Sequence, residues 1–473
     1  MGVNGMSEPR PQFLERGERA RLFPVLAETS KEGRATSILL ACLASVKEFS
    51  DLLLSSLGRR IGTRARVECY TEVQFKAGGE DAGRRPDGLI VVWIGNRSWS
   101  ALVESKIGNA TLDVDQVESY LRIARQNGID AVVTISNQFA TQPTHHPVTL
   151  PAKSLGKVGL YHWSWMYLLT QADLLLTQEG VKDADQHFIL NELKRFLAHS
   201  STGVTGFTAM PPAWSELVQT AAAGGQIHAK SNQVEDVVVA WHQEIRDLAL
   251  ILSRQLAVSA TVKLPRAQAN SLEQRRRSDA KNLAETSSLS AQISIPGAAA
   301  LLEVQADLRS RSISLTMRLR APEDRKSTKA RVNWLLRQLP DVEDDYYVRL
   351  HWPGRGGFTQ HALTTLKESP ETAQMDRPDS APHSLEVCMV KQTAGRFSQR
   401  KNFIADLESY IPTFYKTIGE NLKAWQPPAP KVRKGRSEAE DVTPEALGEA
   451  AEWPESDTDA AAGDEKADSR PSE

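Results

Sequence analysis

The stretch Arg84-Arg85-Pro86-Asp87-Gly88-Leu89-Ile90-Val91-Val92-Trp93-Ile94-Gly95-Asn96-Arg97-Ser98-Trp99-Ser100-Ala101-Leu102-Val103-Glu104-Ser105-Lys106 decides the fold. Two apolar runs rich in β-branched and aromatic residues flank Gly95 and Asn96, which take up turn conformations that bulky residues avoid. The pattern predicts a β-hairpin with both strands largely buried. Three charged groups stand out against this apolar background. Asp87 opens the first strand, and Glu104 and Lys106 close the second, on one face because strand side chains alternate. A hairpin folds the start of its first strand onto the end of its second. Two carboxylates and an ammonium are therefore expected to meet, as a metal site with a lysine beside it.

Working outward, the residues before the hairpin predict a helix and a strand. Ile38, Leu39, Leu43, Val46, Phe49, Leu53 and Leu57 recur at three- and four-residue spacing, and Gly58 is a natural stop. Residues 65–75 alternate as a strand. Residues 1–20 are polar and are expected to fray. After the hairpin, Asp113 and Asp115 open a helix whose dipole they complement, Val117, Leu121 and Ala124 form its apolar face, and Gly128 ends it. Residues 129–135 then form a buried strand, which makes the unit a right-handed parallel crossover. Residues 158–165 form a fifth strand before a helix through Leu176. The expected fold class is α/β, a mixed sheet flanked by helices.

This order, with Pro86-Asp87-Gly88, Glu104-Ser105-Lys106 and the helix behind them, resembles the PD-(D/E)xK nuclease superfamily, whose fold many restriction and repair endonucleases share. The resemblance covers roughly residues 30–175. Within the helix, Gln116-Val117-Glu118-Ser119-Tyr120 is similar to the QxxxY motif of the RecB-type branch. The resemblance implies a restriction-endonuclease-like fold and a nuclease that uses Mg²⁺ or Mn²⁺. It implies that Asp87, Glu104 and the Ser105 carbonyl are metal ligands, that Lys106 orients and helps to deprotonate the attacking water, and that Gln116 and Tyr120 hold nucleophile or substrate. A first-helix glutamate joins the metal site in some relatives. Glu32 is the best match, with Glu28 and Glu72 as the other carboxylates able to take its place. Hard divalent cations prefer oxygen ligands and keep several waters, so two carboxylates and a carbonyl suffice to hold one against a phosphate.

Composition sets the outer bounds. The chain has 473 residues, 40% of them hydrophobic, enough for two to three domains with cores of their own. No apolar run approaches the roughly 18 residues that cross a bilayer, and residues 1–10 lack a signal-peptide core, so a cytoplasmic protein without membrane partners is expected. Cys42, Cys69 and Cys388 are scattered and indicate neither a disulfide framework nor a thiolate zinc site. The net charge of −2 hides an asymmetry: residues 427–473 carry 6 basic and 13 acidic groups, which leaves 51 basic and 46 acidic in the body, net +5. Such a body tolerates a polyanionic partner without requiring one.

The rest of the chain divides by pattern. The nuclease-like domain is placed at 20–200, a helical linker region at 201–257, an α+β accessory domain at 258–426, and a disordered acidic tail at 427–473. In the accessory domain, residues 289–295, 302–308, 313–319, 348–352 and 385–389 alternate with one wet face and predict an antiparallel sheet covered on one side by helices near 327–339 and 398–425. Substrate recognition or self-association into a homo-oligomer is its expected role, with Arg318 and Arg320 as phosphate contacts. His145-His146 and Arg275-Arg276-Arg277 read as surface loop residues, Trp163 and Trp165 as core; Trp214 could stack on a base or pack. The functional expectation is a metal-dependent nuclease acting on DNA, in phage defence or DNA repair. Its competitors are a non-catalytic DNA-binding or scaffold protein of the same fold and an RNA-directed nuclease.

Overall fold

In the computed structural model, which describes residues 11–24, 30–62, 64–75, 84–342, 345–355 and 357–427, the hairpin forms as the turn chemistry requires. Gly88–Ile94 pairs with Arg97–Ser105 from Gly88↔Val103 to Ile94↔Arg97, which leaves Gly95 and Asn96 as the turn. Gly95 has φ +60°, a left-handed value that side chains disfavour, at the position where two-residue hairpins call for glycine.

Around the hairpin a six-stranded sheet runs in chain order, β1 (Leu14–Arg19), β2 (Arg66–Phe75), β3 (Gly88–Ile94), β4 (Arg97–Ser105), β5 (Ala131–Ser136) and β6 (Gly159–Ser164). The β1–β4 pairings are antiparallel, and β4–β5 and β5–β6 are parallel, so the sheet is mixed. Buried on both faces, β3 and β4 read as nearly continuous apolar runs. One face packs on α1 (Lys31–Ser45), α2 (Lys47–Ser56), α4 (Trp165–Thr177) and α5 (Ala184–Ala198), through Leu39, Phe49, Val103, Val133, Trp165 and Leu193. The other packs on α3 (Val114–Gln126), through Leu89, Leu102, Val117, Leu121 and Val132. Asp113 caps α3 by accepting from the Gln116 amide at 2.8 Å, and Gly128 follows its end with φ +66°.

The second half is an antiparallel sheet of seven strands in the order β12-β11-β13-β10-β9-β8-β7. These are β7 (Thr261–Lys263), β8 (Ser288–Ser294), β9 (Leu302–Asp307), β10 (Ser312–Arg320), β11 (Tyr346–His351), β12 (Phe358–Ala362) and β13 (Ser384–Gln392). One face is buried with α6 (Ala213–Ala222), α7 (Asn232–Leu256), α8 (Leu272–Thr286) and the helices Thr328–Leu336 and Arg400–Phe414 in a single core. Leu302, Val304 and Ala306 point into it, while Glu303 and Gln305 between them are exposed, the alternation of a one-sided sheet.

Four expectations change. Residues 14–19 are not frayed; they form β1, an edge strand that belongs to the first sheet although it precedes residue 20. The 201–257 region is no linker, because Met210, Trp214, Val237, Trp241 and Leu248 lie in the second core. Trp214 therefore packs, and its Nε1 donates to Phe397 O at 2.8 Å rather than meeting a base. Arg275–Arg277 lie on α8, not in a loop: Arg275 is buried and donates to Thr141 Oγ1 at 2.6 Å, and Arg276 donates to Thr149 Oγ1 at 3.0 Å. His145 and His146 are buried as well. Glu28 and the acidic tail after Pro427 lie outside the described residues. Among those described, no helix is long and apolar enough to cross a membrane, and the three cysteines are free and buried.

Candidate active site

The site gathers at one end of the first sheet, where four elements converge. Gly88 permits this: a Cβ there would meet Leu40 Cδ1 at 2.4 Å and Tyr70 O at 3.1 Å, so only glycine lets α1 close on the start of β3. Asp87, one residue earlier, is thereby held between the helix and β4. Its Oδ2 accepts from the Ser105 amide at 2.8 Å and the Ser105 hydroxyl at 3.1 Å. On α1, Glu32 and Thr36 lie one turn apart on the inward face. Thr36 Oγ1 donates to Glu32 O at 2.9 Å and lies 2.6 Å from Ser105 Oγ, which ties the helix to the strand end.

Glu32, Asp87 and Glu104 each offer a carboxylate oxygen, and these oxygens lie within 4.8 Å of one another. Lys106 Nζ forms an ion pair with Glu104 Oε1 and reaches Glu32 Oε1 at 3.4 Å. From α3, Gln116 Nε2 donates to Glu104 Oε1 at 2.7 Å and to the Tyr120 hydroxyl at 3.1 Å, and that hydroxyl donates to Arg85 O at 3.2 Å. Sequence reasoning selected Asp87, Glu104, Ser105, Lys106, Gln116, Tyr120 and Glu32, and all seven are here. Glu72, the other described candidate for the first-helix role, is exposed, at φ +53° in β2, and outside the cluster.

Three carboxylates face one ammonium, and burial makes the imbalance costly. Burial pushes the Asp87 carboxyl up to about 6; the Glu32 charge adds to this, while the Ser105 bonds and Lys106 oppose it. Burial, then the Asp87 charge, push Glu104 up to about 7 against the pull of Lys106. Burial works against the charge on Lys106, but Glu104, Glu32 and Asp87 outweigh it and hold its pKa above the ordinary lysine value. Glu104 is 2% exposed, and its Oε2 is buried without a hydrogen-bond partner. Leaving such an acceptor unmet costs roughly 1–3 kcal/mol, more for a charged group. A hard divalent cation would meet it, and an all-oxygen donor set suits Mg²⁺ or Mn²⁺ rather than a thiolate- or imidazole-seeking metal.

Two supporting residues escaped the sequence reading. Thr36 is legible in retrospect as the i+4 partner of Glu32. Trp165, expected only to pack, also donates from Nε1 to Lys106 O at 2.9 Å and fixes the backbone that carries the lysine. Behind the site, Glu104, Thr134 and His162 stand in register across β4, β5 and β6 on one sheet face. Thr134 Oγ1 lies 2.8 Å from both His146 Nε2 and His162 Nδ1, and His162 Nε2 bonds Gln138 O at 2.8 Å. Burial holds His146 down to about 4 and His162 to about 3, so both imidazoles are neutral members of this buried hydrogen-bonded line. No family model and no curated protein sequence matches the chain.

Proposed function

We propose that this chain is a metal-dependent nuclease that hydrolyses phosphodiester bonds in DNA, with a restriction-endonuclease-like fold in its first half. One observation carries the reading: Glu32, Asp87 and Glu104 meet within 4.8 Å at the end of a mixed sheet, with Lys106 paired to Glu104. The two hairpin carboxylates, Glu32 and the Ser105 carbonyl would hold a divalent cation, which when bound lowers the pKa of water and offsets charge on the scissile phosphate. Lys106 stands where its ammonium, which has one hydrogen beyond those it gives Glu104 and Glu32, can donate to a water molecule and orient it for attack. Gln116 orients Glu104, and the Tyr120 hydroxyl fixes Gln116 in turn. A role in phage defence or DNA repair accords with this chemistry.

The test is plasmid nicking with Mg²⁺ and with EDTA, for wild type, Lys106→Ala and Asp87→Ala at matched concentration. Removing one polarising group from a preorganised site commonly costs about 10² to 10³ in rate, which a nicking time course resolves. Asp87→Ala should also lose Mg²⁺ binding in calorimetry, whereas Lys106→Ala should keep most of it. Equal nicking by all three proteins would assign the activity to a contaminant or another site. DNA binding by the wild type without cleavage under any divalent ion would favour the non-catalytic alternative.

A further inference from the structure

The second sheet leaves one face open, and its side chains are ordered across the strands. In register, Arg320, Ser384, His351 and Phe358 form one row over β10, β13, β11 and β12, and Arg318, Glu386, Arg349 and Gln360 form the next. Cross-strand partners share a face, and neighbouring strands lie about 4.8 Å apart, so each row spans roughly 14 Å. At the β10 end, a cleft of about 640 Å³ is lined by Arg318, Arg320 and Arg331, with Glu323 as its single carboxylate. Arg318 is held by Ser384 Oγ at 2.8 Å and His383 Nε2 at 3.1 Å, and Arg331 by the carbonyls of Arg325 at 2.8 Å and Pro382 at 2.7 Å. These contacts orient two guanidinium groups without an ion pair, and only Arg320 is paired, with Glu323.

At the β12 end the same face carries an aromatic ring. Phe358 is 51% exposed, with the Arg349 guanidinium 5.1 Å from its centroid and the His351 ring at 5.6 Å. Glu386 secures both neighbours, accepting from Arg349 Nη1 at 2.9 Å and bonding His351 Nε2 at 2.7 Å. About half of this ring's surface stays open to solvent, although Arg349 and His351 stand against the rest. Arginines without an ion pair, within a strand's reach of an exposed ring, are an arrangement that can track an unpaired nucleic-acid strand, because phosphates satisfy the guanidinium groups and an unstacked base covers the ring. A duplex keeps its bases stacked and could use only the cations.

We infer that this face is a binding platform for single-stranded nucleic acid, with backbone phosphates at Arg318, Arg320 and Arg331 and a base on Phe358. The ligand class rests on the nuclease reading, and the platform would hold the unpaired part of its substrate. The experiment is fluorescence anisotropy of a labelled oligothymidylate in EDTA, over a salt series, with the full chain as wild type, Arg318→Ala/Arg320→Ala and Phe358→Ala. Polyglutamate and a duplex of equal length serve as competitors. All three positions are exposed, and circular dichroism confirms that the variants fold. The double arginine variant should bind at least tenfold more weakly and lower the log–log salt slope by about 1.4, at about 0.7 per phosphate. Phe358→Ala should weaken binding about tenfold with the slope unchanged. Binding by the variants equal to wild type, no binding by wild type, or equal displacement by polyglutamate or duplex would overturn the platform. Plasmid nicking with Mg²⁺ is read in parallel. A wild type that holds the oligonucleotide through these residues but cuts nothing would sink the nuclease reading and leave the platform standing.

Discussion

The two sheets handle charge in opposite ways. The first collects Glu32, Asp87, Glu104 and Lys106 at one end, in contact with each other and largely out of water. The second spreads Glu303, Arg318 and Arg320 over an exposed face and keeps mainly apolar groups on the other. The contrast follows from strand burial. A sheet covered on both faces has no wet side for charged residues, so those it keeps are either paired within it, as Glu68 is by Arg19, or gathered where the strands end. There each carries a desolvation cost that only a partner or an ion offsets. On the open face of a one-sided sheet that cost is smaller, which leaves a side chain such as Arg318 able to meet a ligand.

If that contrast is right, pH should strain the first sheet most. Glu104 and Asp87 have folded-state pKa values of about 7 and about 6, above those of the unfolded chain, so the native state binds protons more tightly. Their stabilising contribution is present below pH about 4 and is lost as pH rises through about 6 to 7. In EDTA, the loss attributable to Glu104 between pH 4 and 8 should be roughly 3 kcal/mol, since each tenfold difference in proton affinity between folded and unfolded chain is worth about 1.4 kcal/mol. Chemical denaturation across that range checks it: Glu104→Gln should flatten the profile, and Mg²⁺ should restore stability at the high-pH end. A profile identical in wild type and Glu104→Gln would show that burial does not strain this carboxyl.

Gly88→Ala should come next. Its new methyl would meet Leu40 Cδ1 at 2.4 Å and the Tyr70 carbonyl at 3.1 Å, and overpacking of this kind costs about 1–3 kcal/mol in denaturant titrations. Because α1 carries Glu32, nicking should fall as well. Trp165→Phe keeps most of the packing but frees Lys106 O, for an expected loss of about 1 kcal/mol and a measurable drop in nicking rate at unchanged Mg²⁺ affinity. Arg318→Ala, on the wet face, should change stability by less than about 0.5 kcal/mol in the same titration. A large effect there would mean that the second sheet's polar face is structural, and the comparison would fail.

The same difference explains what could be read from the chain. The hairpin announced itself because β3 and β4 are apolar on both sides and Gly95 marks the turn. Period-two alternation then put Glu104 and Lys106 together without any tertiary information. Strand β1, Leu-Glu-Arg-Gly-Glu-Arg, has no such run: it is a charged edge strand specified by its pairing with β2, and charge on an edge is what keeps it from pairing with another chain. Helix α8 was missed because Arg275 makes its burial bearable through Thr141 Oγ1, a partner 134 residues away. His146 was misplaced for the same reason, since Thr134 satisfies it inside the fold. The 201–257 region read as a linker, but Trp214 anchors it to Phe397.

Those long-range arginine contacts govern how the molecule comes apart. Arg275 and Arg276 hold the 137–150 loop, His145 Nε2 bonds Ala269 O at 2.9 Å, Gln243 Oε1 accepts from the Phe139 amide at 3.1 Å, and Arg254 Nη1 donates to Thr170 Oγ1 at 2.6 Å. A chain cut just after α5 would strip these partners from the loop that carries His146 and from the helix that begins with Trp165. The first half is therefore not a portable module: its carboxylates are held in place by a scaffold that is completed only when the second half of the chain has folded onto it.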